Sequence, residues 1–392
     1  MTDTLKDQRP ATAGRTDPKI HLALTHDWEL RGDGSGDIEQ IQFAPLRRLL
    51  DIYKTFGART TFLPDVMQQI TFRRFQKRSD DLKRNADLWD EHARDAYAAG
   101  HDIQLHLHSQ WSDARHEKGK WHLPGAWSLL KHDLDSAKQM IAESKRYLEE
   151  LLQPIDSHYR CVAFRASALA LAPSLHLLSS LADLGIQIDV SMAAGFYLNN
   201  ETLQLDYRNC EETFLPYYPR LDDARYVSDK REPIACVPLN HFYGSRREVT
   251  KQNLALASAR VTRRAKASTG PATRPQLDTQ TSGVARVYEK LIAPALKRKH
   301  FVSDLSRLNY PLMREMLASI RRRARASGLA QIPVVLTNHP KDIRDWDAIE
   351  RFEGELAEAV DVEFITLSEL AEGTKSGEFE VRIASQQSLP SA

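Results

Sequence analysis

Two histidines separated by one residue stand in Ile103-Gln104-Leu105-His106-Leu107-His108. Apolar residues alternate with polar ones there, which is the pattern of a strand whose side chains point alternately to opposite faces. His106 and His108 therefore share a face, and two imidazoles so placed can grip one metal ion. A carboxylate as third ligand would leave positions open for water. The alternation recurs in Ile20-His21-Leu22-Ala23-Leu24-Thr25-His26-Asp27-Trp28-Glu29. Its apolar side is Ile20, Leu22 and Leu24; Thr25, Asp27 and Glu29 lie on the other. One strand thus ends in two carboxylates on one face and a later one in two histidines on one face. In parallel α/β architectures chemistry gathers at the C-terminal ends of strands.

The elements that must position these groups follow the same logic. An early strand over 19–27 precedes a glycine-rich loop, Arg31-Gly32-Asp33-Gly34-Ser35-Gly36-Asp37, which lacks the ending of a P-loop and reads as a flexible rim. Helices are expected over 43–56, 79–99, 130–152 and 174–184. Strands are expected at 60–63, 162–165, 186–190, 213–217, 234–239 and 332–337, with a last one over Phe364-Ile365-Thr366-Leu367. Strands separated by helices argue for a parallel sheet or barrel. Between the histidine strand and the next helix lies a loop rich in aromatics, in which Trp111 and Trp121 are candidate sugar platforms.

The chain has 392 residues and a net charge of +1, so no global nucleic-acid signal exists. The charge is uneven: residues 245–330 hold 19 Lys and Arg against 5 Asp and Glu. This stretch breaks the strand–helix rhythm and reads as a basic helical insertion between a barrel at 19–244 and its completion at 331–373. Residues 1–18 and 374–392 read as polar tails. Three cysteines far apart, no apolar run of membrane-spanning length and no signal-like start give the expectation of a cytoplasmic protein.

The ordered motifs resemble those of the polysaccharide deacetylase family, the NodB-like carbohydrate esterases. Thr25-His26-Asp27-Trp28-Glu29 stands where that family has Thr-Phe-Asp-Asp-Gly, and Gly100-His101-Asp102-Ile103-Gln104-Leu105-His106 matches its second motif. Phe164-Arg165-Ala166-Ser167 resembles the third, Asp189 the fourth, and His339 the strand-ending histidine of the fifth. Thr366-Leu367-Ser368-Glu369-Leu370 is similar to the family's usual close. The resemblance implies a distorted (β/α)7 barrel, a divalent metal and hydrolysis of an N-acetyl group on a saccharide. Zinc is the first expectation for the metal, with manganese, cobalt, nickel and iron as alternatives.

Departures from the motifs shape the assignment. Trp28 replaces the family's second aspartate, and Gln110 its later histidine; Glu29 and His108 lie on the faces that allow them to take over. The expected metal ligands are Glu29, His106 and His108, with Asp27 as general base, although Asp27 and Glu29 are open to exchange. His339 would protonate the leaving amine, Arg165 would orient Asp27, and Asp189 would orient His339. A small-amide hydrolase and a non-catalytic saccharide-binding protein are the other readings. The basic stretch, with Arg321, Arg322, Arg323 and Arg325 clustered, suggests contact with an anionic membrane or a pyrophosphate-linked substrate of surface-polysaccharide synthesis.

Overall fold

A computed structural model describes residues 17–200, 203–255 and 299–384. The tails 1–16 and 385–392 and most of the centre of the basic stretch, 256–298, lie outside the described residues.

The first strand, β1 (Lys19–Trp28), is buried along nearly its whole length. It is followed by α1 (Ala44–Phe56), β2 (Thr61–Pro64), α2 (Val66–Phe75), α3 (Asp80–Ala98), β3 (Asp102–Ile103) and β4 (Leu105–Leu107). Then come α4 (Leu134–Leu152), β5 (Ala163–Ala166), α5 (Leu177–Asp183), β6 (Ile188–Asp189) and β7 (Ala235–Cys236). The chain ends in α6 (Tyr310–Ser327), β8 (Gln331–Asn338), α7 (Trp346–Ala357), β9 (Val362–Phe364) and α8 (Leu367–Ser376).

All these strands pair in parallel. One sheet runs β8-β1-β2-β3, with β9 also on β1, and a second runs β7-β6-β5-β4. The sheets are continuous between β2 and β4, where Gln104 N donates to Phe62 O at 3.0 Å and Asp65 bridges His106. Beyond β7 the chain returns to β8: Leu239 bridges Val335, and Asn240 N donates to Val335 O at 2.9 Å.

The histidine segment forms two short strands because Gln104 interrupts the ladder. Its buried side chain accepts from Val162 N and Ala163 N at 2.8 and 2.9 Å and donates to Asp102 Oδ1 and Ser368 Oγ, each at 2.9 Å. A side-chain amide thus replaces the backbone groups that a regular strand would offer.

The outward faces of the strands meet the helices. Trp28 stacks on Trp89 of α3 at 5.1 Å and donates to Gln42 O at 2.9 Å, so the residue in place of the family's second aspartate belongs to the core. Helix ends follow local chemistry. Asp65, Ser79, Asp133 and Asn309 cap α2, α3, α4 and α6 through their side chains. The expected last strand ends earlier, at Phe364, because Thr366 and Glu369 form a capping box that starts α8. Residues 213–217 form no strand of their own; only Tyr217 bridges Cys236 and Arg382.

The late part of the basic stretch is integrated with the fold. Residues Lys299–Val302 pair with His241–Gly244, and Asp304 bridges Thr337 of β8. α6 buries Leu312, Met313, Met316, Leu317, Ile320 and Ala324. Its arginines serve the fold as well. Arg321 forms a bidentate pair with Asp361 at 2.7 and 2.6 Å, Arg323 donates to His241 O and Thr213 O, and Arg325 pairs with Asp17. Among the described residues no helix is long and apolar enough to cross a membrane.

If α6 is a core helix, Ile320→Ala should destabilise the protein by about 2–5 kcal/mol, whereas exposed Arg322→Glu should stay within about 0.5 kcal/mol. Urea denaturation measures both; equal, small effects would place the helix outside the cooperative unit.

Candidate active site

The strand ends bring together the residues singled out by their faces. Thr25, Asp27 and Glu29 of the β1 end, His106 and His108 of β4 and the residue after it, Arg165 of β5, and Thr337 and His339 of the β8 end converge. Glu29, His106 and His108 are buried, and their donor atoms cluster within 4.8 Å. Glu29 Oε2 lies 3.1 Å from His106 Nε2 and 2.6 Å from His108 Nε2; the two imidazole nitrogens are 3.0 Å apart. Ligands around tetrahedral zinc, with bonds of about 2.0–2.1 Å, lie about 3.3–3.4 Å apart. An expansion of about 0.2–0.3 Å at two of the separations and about 0.7 Å between Glu29 and His108 would accommodate the ion.

The chemistry of the donor set is a stronger test of fit. His106 Nδ1 lies 2.8 Å from Arg165 O, a carbonyl that can only accept. The nitrogen must therefore carry a proton, which leaves Nε2 of the neutral ring as a lone pair facing a carboxylate. Two acceptors in contact require a cation between them or a second proton on the ring. Without metal the second proton is the solution. Burial opposes it, but the Glu29 hydrogen bond and the charges of Asp27 and Glu29 prevail and push His106 up to about 9. Burial likewise opposes the ionisation of Glu29, yet His108, Lys341 and His106 hold its carboxyl well below the usual range.

Around the histidines the second layer is polar. Gln110, in the place of the family's later histidine, sets its amide 3.2 Å from His108 Nδ1. Its buried Oε1 has no partner among the described residues. Turning the amide over places that oxygen on His108 Nδ1 and leaves Nε2 of the ring for a metal. Asp65 accepts from His108 N at 3.1 Å.

A second group flanks the first. Arg165 is fully buried. It donates to Asp27 Oδ1 at 2.5 Å, to Thr25 Oγ1 at 2.7 Å, to Thr337 Oγ1 at 3.2 Å and to Val190 O at 3.3 Å. Burial disfavours the Asp27 anion, but Arg165, His106 and His339 outweigh it and keep the carboxyl below its ordinary value. The other Asp27 oxygen, Oδ2, lies 3.4 Å from His339 Nε2.

The structure corrects two expectations, the partner of His339 and the place of Trp111. His339 Nδ1 is held by Asp304 Oδ2 at 3.1 Å, not by Asp189. Asp189 instead receives Ser191 N and Ser191 Oγ, each at 2.8 Å, and burial pushes it up to about 7. Trp111 is 1 % exposed and packs edge-on against Phe72 and Trp121, so it seals the core and offers no platform to a sugar. Trp121 is half-buried and stacks on Phe72 at 5.3 Å, which occupies a ring face within the fold. The glycine-rich loop also packs tightly. A Cβ on Gly32 would fall 2.1 Å from the Trp127 ring, and Gly34, at φ +74°, abuts Trp121.

Two site residues escaped the motifs. Asp304 lies in the basic stretch, where its only signal is the capping pattern before Leu305 and Ser306. Lys341, two residues after His339, sets Nζ 2.5 Å from Glu29 Oε1 and 3.0 Å from Leu30 O.

No family model matches the sequence, and no curated protein matches it. Solved structures do resemble it. A chain from Mycobacterium smegmatis described as a polysaccharide deacetylase has TM-score 0.48 and 16 % identity, covering 98 % of this chain and 100 % of that one. A Pseudomonas aeruginosa PAO1 chain with the same description has TM-score 0.47 and 12 % identity, covering 93 % and 94 %. Puue allantoinase has TM-score 0.48 and 11 % identity, covering 96 % and 98 %. At such scores and identities these likenesses carry no argument about chemistry, which rests on the residues themselves.

Because a metal must displace the proton that His106 carries below about 9, loading zinc near pH 7 should release about one proton. Apparent affinity should rise about tenfold per pH unit up to that value and then level off. Calorimetry in buffers of different ionisation enthalpy reads the proton count; a heat independent of buffer would contradict the cluster's protonation.

Proposed function

We propose that the chain is a metal-dependent hydrolase of amide bonds that removes an acetyl group from an N-acetylated saccharide. The observation that carries this reading is the juxtaposition of a Glu29–His106–His108 ligand set with an Asp27–His339 pair at its side. The run of strands from β8 through β7 and back, with helices between, is read as the distorted (β/α)7 barrel that the motifs imply.

Glu29, His106 and His108 would hold a divalent metal, zinc first among the candidates, which supplies polarisation of a carbonyl and acidification of water. The remaining tasks belong to side chains. Asp27, kept ionised beside Arg165, offers Oδ2 as acceptor for the proton of an attacking water. Arg165 fixes the direction of that oxygen by holding the other one and by bonding Thr25 and Thr337. His339 is the proton donor to the leaving nitrogen. Burial works against its protonation, but the carboxylates of Asp304, Asp27 and Glu29 raise it above the ordinary imidazole value. Since Asp304 Oδ2 faces Nδ1, the proton to be delivered sits on Nε2, on the side of Asp27.

The saccharide half of the proposal rests on the motif resemblance, because Trp111 is withdrawn into the core. Arg321, Arg323 and Arg325 are paired within the fold, and residues 256–298, which hold much of the basic stretch, lie outside the described residues, so a membrane or pyrophosphate contact gains no support from the described arginines.

The test is acetate release by the zinc-, cobalt- or manganese-loaded protein from N-acetylated oligosaccharides and nucleotide-linked N-acetyl sugars, with small cyclic and linear amides alongside. Hydrolysis of the amides alone would move the substrate class; metal binding without any hydrolysis would leave a binding protein. Asp27→Asn should retain the metal and lose about 10²–10⁴-fold in kcat. Loss of metal in that variant would make Asp27 the ligand.

Asp304→Asn removes the largest influence that raises His339, so the alkaline limb of the kcat profile should move to lower pH. A profile of unchanged shape would exclude His339 as the acid.

A further inference from the structure

Both carboxylates at the end of β1 are tethered by a cation through one oxygen. Asp27 gives Oδ1 to Arg165 and leaves Oδ2 towards His339. Glu29 gives Oε1 to Lys341 and leaves Oε2 towards the two histidines. The Lys341 side chain is 12 % exposed and that of Glu29 6 %. An ammonium taken so far out of water persists only when paired, and here it is paired to Glu29 and to Leu30 O at 3.0 Å. Lys341 comes from the C-terminal end of β8, the strand parallel to β1: it lies in the turn Pro340–Asp342 directly after His339.

The terminal torsion of a glutamate is soft, and its two oxygens exchange places at little energy. A carboxylate with both oxygens available binds a metal through one or through two. The second mode would occupy a position that the substrate carbonyl or water needs. Resting on the reading that Glu29, His106 and His108 form a metal site, we propose that Lys341 is a positioning residue that keeps Glu29 a one-oxygen ligand. The same contact separates the two acids by role. Arg165 claims one oxygen of Asp27 and leaves a proton acceptor; Lys341 claims one oxygen of Glu29 and leaves a ligand atom.

Cobalt(II) alone is the probe, added to the full chain as wild type, Lys341→Met and Lys341→Arg. Visible absorption per bound cobalt and the coordination number from X-ray absorption are read on each. In Lys341→Met the second Glu29 oxygen should join the metal, raising the coordination number by one and weakening the visible band. Lys341→Arg, which keeps a cationic N–H donor, should return both to wild type. A Lys341→Met protein with the wild-type band and coordination number overturns the proposal while leaving the metal site intact. Wild type that takes up no cobalt overturns the metal reading and this inference with it. If Lys341→Met does not fold, Lys341→Gln, which keeps an N–H donor without the charge, replaces it. A wild-type spectrum in Lys341→Gln then overturns the proposal, since the shorter, uncharged side chain does not replace the ammonium that holds Glu29 Oε1. A higher coordination number there supports tethering by charge, and an untethered, mixed spectrum that Lys341→Arg fails to restore overturns the role.

Discussion

The convergence of three lone-pair atoms is the constraint on which this site depends. Glu29 Oε2, His106 Nε2 and His108 Nε2 lie within 3.1 Å of one another, and Arg165 O fixes the single proton of the neutral His106 ring on its other nitrogen. Acceptors do not gather in a buried place without something positive between them. In the metal-free protein the positive charge is a second ring proton. A divalent ion meets the same demand without that proton, so metal and proton compete for one location. The surrounding hydrogen bonds are consistent with that competition: each approaches a ring or carboxylate from its far side and leaves the facing atoms free.

The same economy governs the buried charges. Asp27 and Glu29 lie one residue apart on one strand face, where two adjacent anions repel. Arg165 and Lys341 answer them one for one, and neither cation comes from β1: Arg165 lies on β5 and Lys341 just beyond β8. Removing either cation would leave the anion it holds to the neighbouring histidines alone, a loss of one buried counter-charge that destabilises the site. The ends of three strands are therefore tied together electrostatically before any ligand arrives. Arg165 reinforces the tie with hydrogen bonds to Thr25 and Thr337, so that β1, β5 and β8 share one guanidinium.

Much of this was legible in the sequence because the period of a strand is short and strict. Alternation alone placed Asp27 and Glu29 on one face and His106 and His108 on another, and it sent Trp28 to the helices. It also shows how Trp28 can stand where the resembled motif has an acid: Glu29, one residue further, is the carboxylate that meets His106 and His108. The illegible part depended on three-dimensional neighbours. Nothing local distinguishes Trp111 as a core residue from Trp111 as a sugar platform; Phe72 and Trp121, from other segments, decide it. The helix α2 leaves no apolar stripe in the sequence because its buried face includes Gln68, Gln69 and Thr71, which serve as hydrogen-bond partners inside.

Asp304 shows why motif order is an incomplete guide to role. A strand-end aspartate, Asp189, stands where the resemblance expects the partner of His339, but it is engaged by the Ser191 backbone and hydroxyl, and burial favours its neutral form. A neutral acid in that place would do little to raise an imidazole. Asp304 stays ionised although burial opposes it, because His339 and Arg307 both face it, and it reaches Nδ1 from a segment that bridges β8 at Thr337. For the proposed reaction, His339 would need an anion at Nδ1 to hold its proton on Nε2, and Asp304 is the carboxylate placed there. The fold meets that requirement with whichever strand end supplies an ionised carboxylate at hydrogen-bond distance, so the role follows the geometry around His339 and not the position of the acid along the chain.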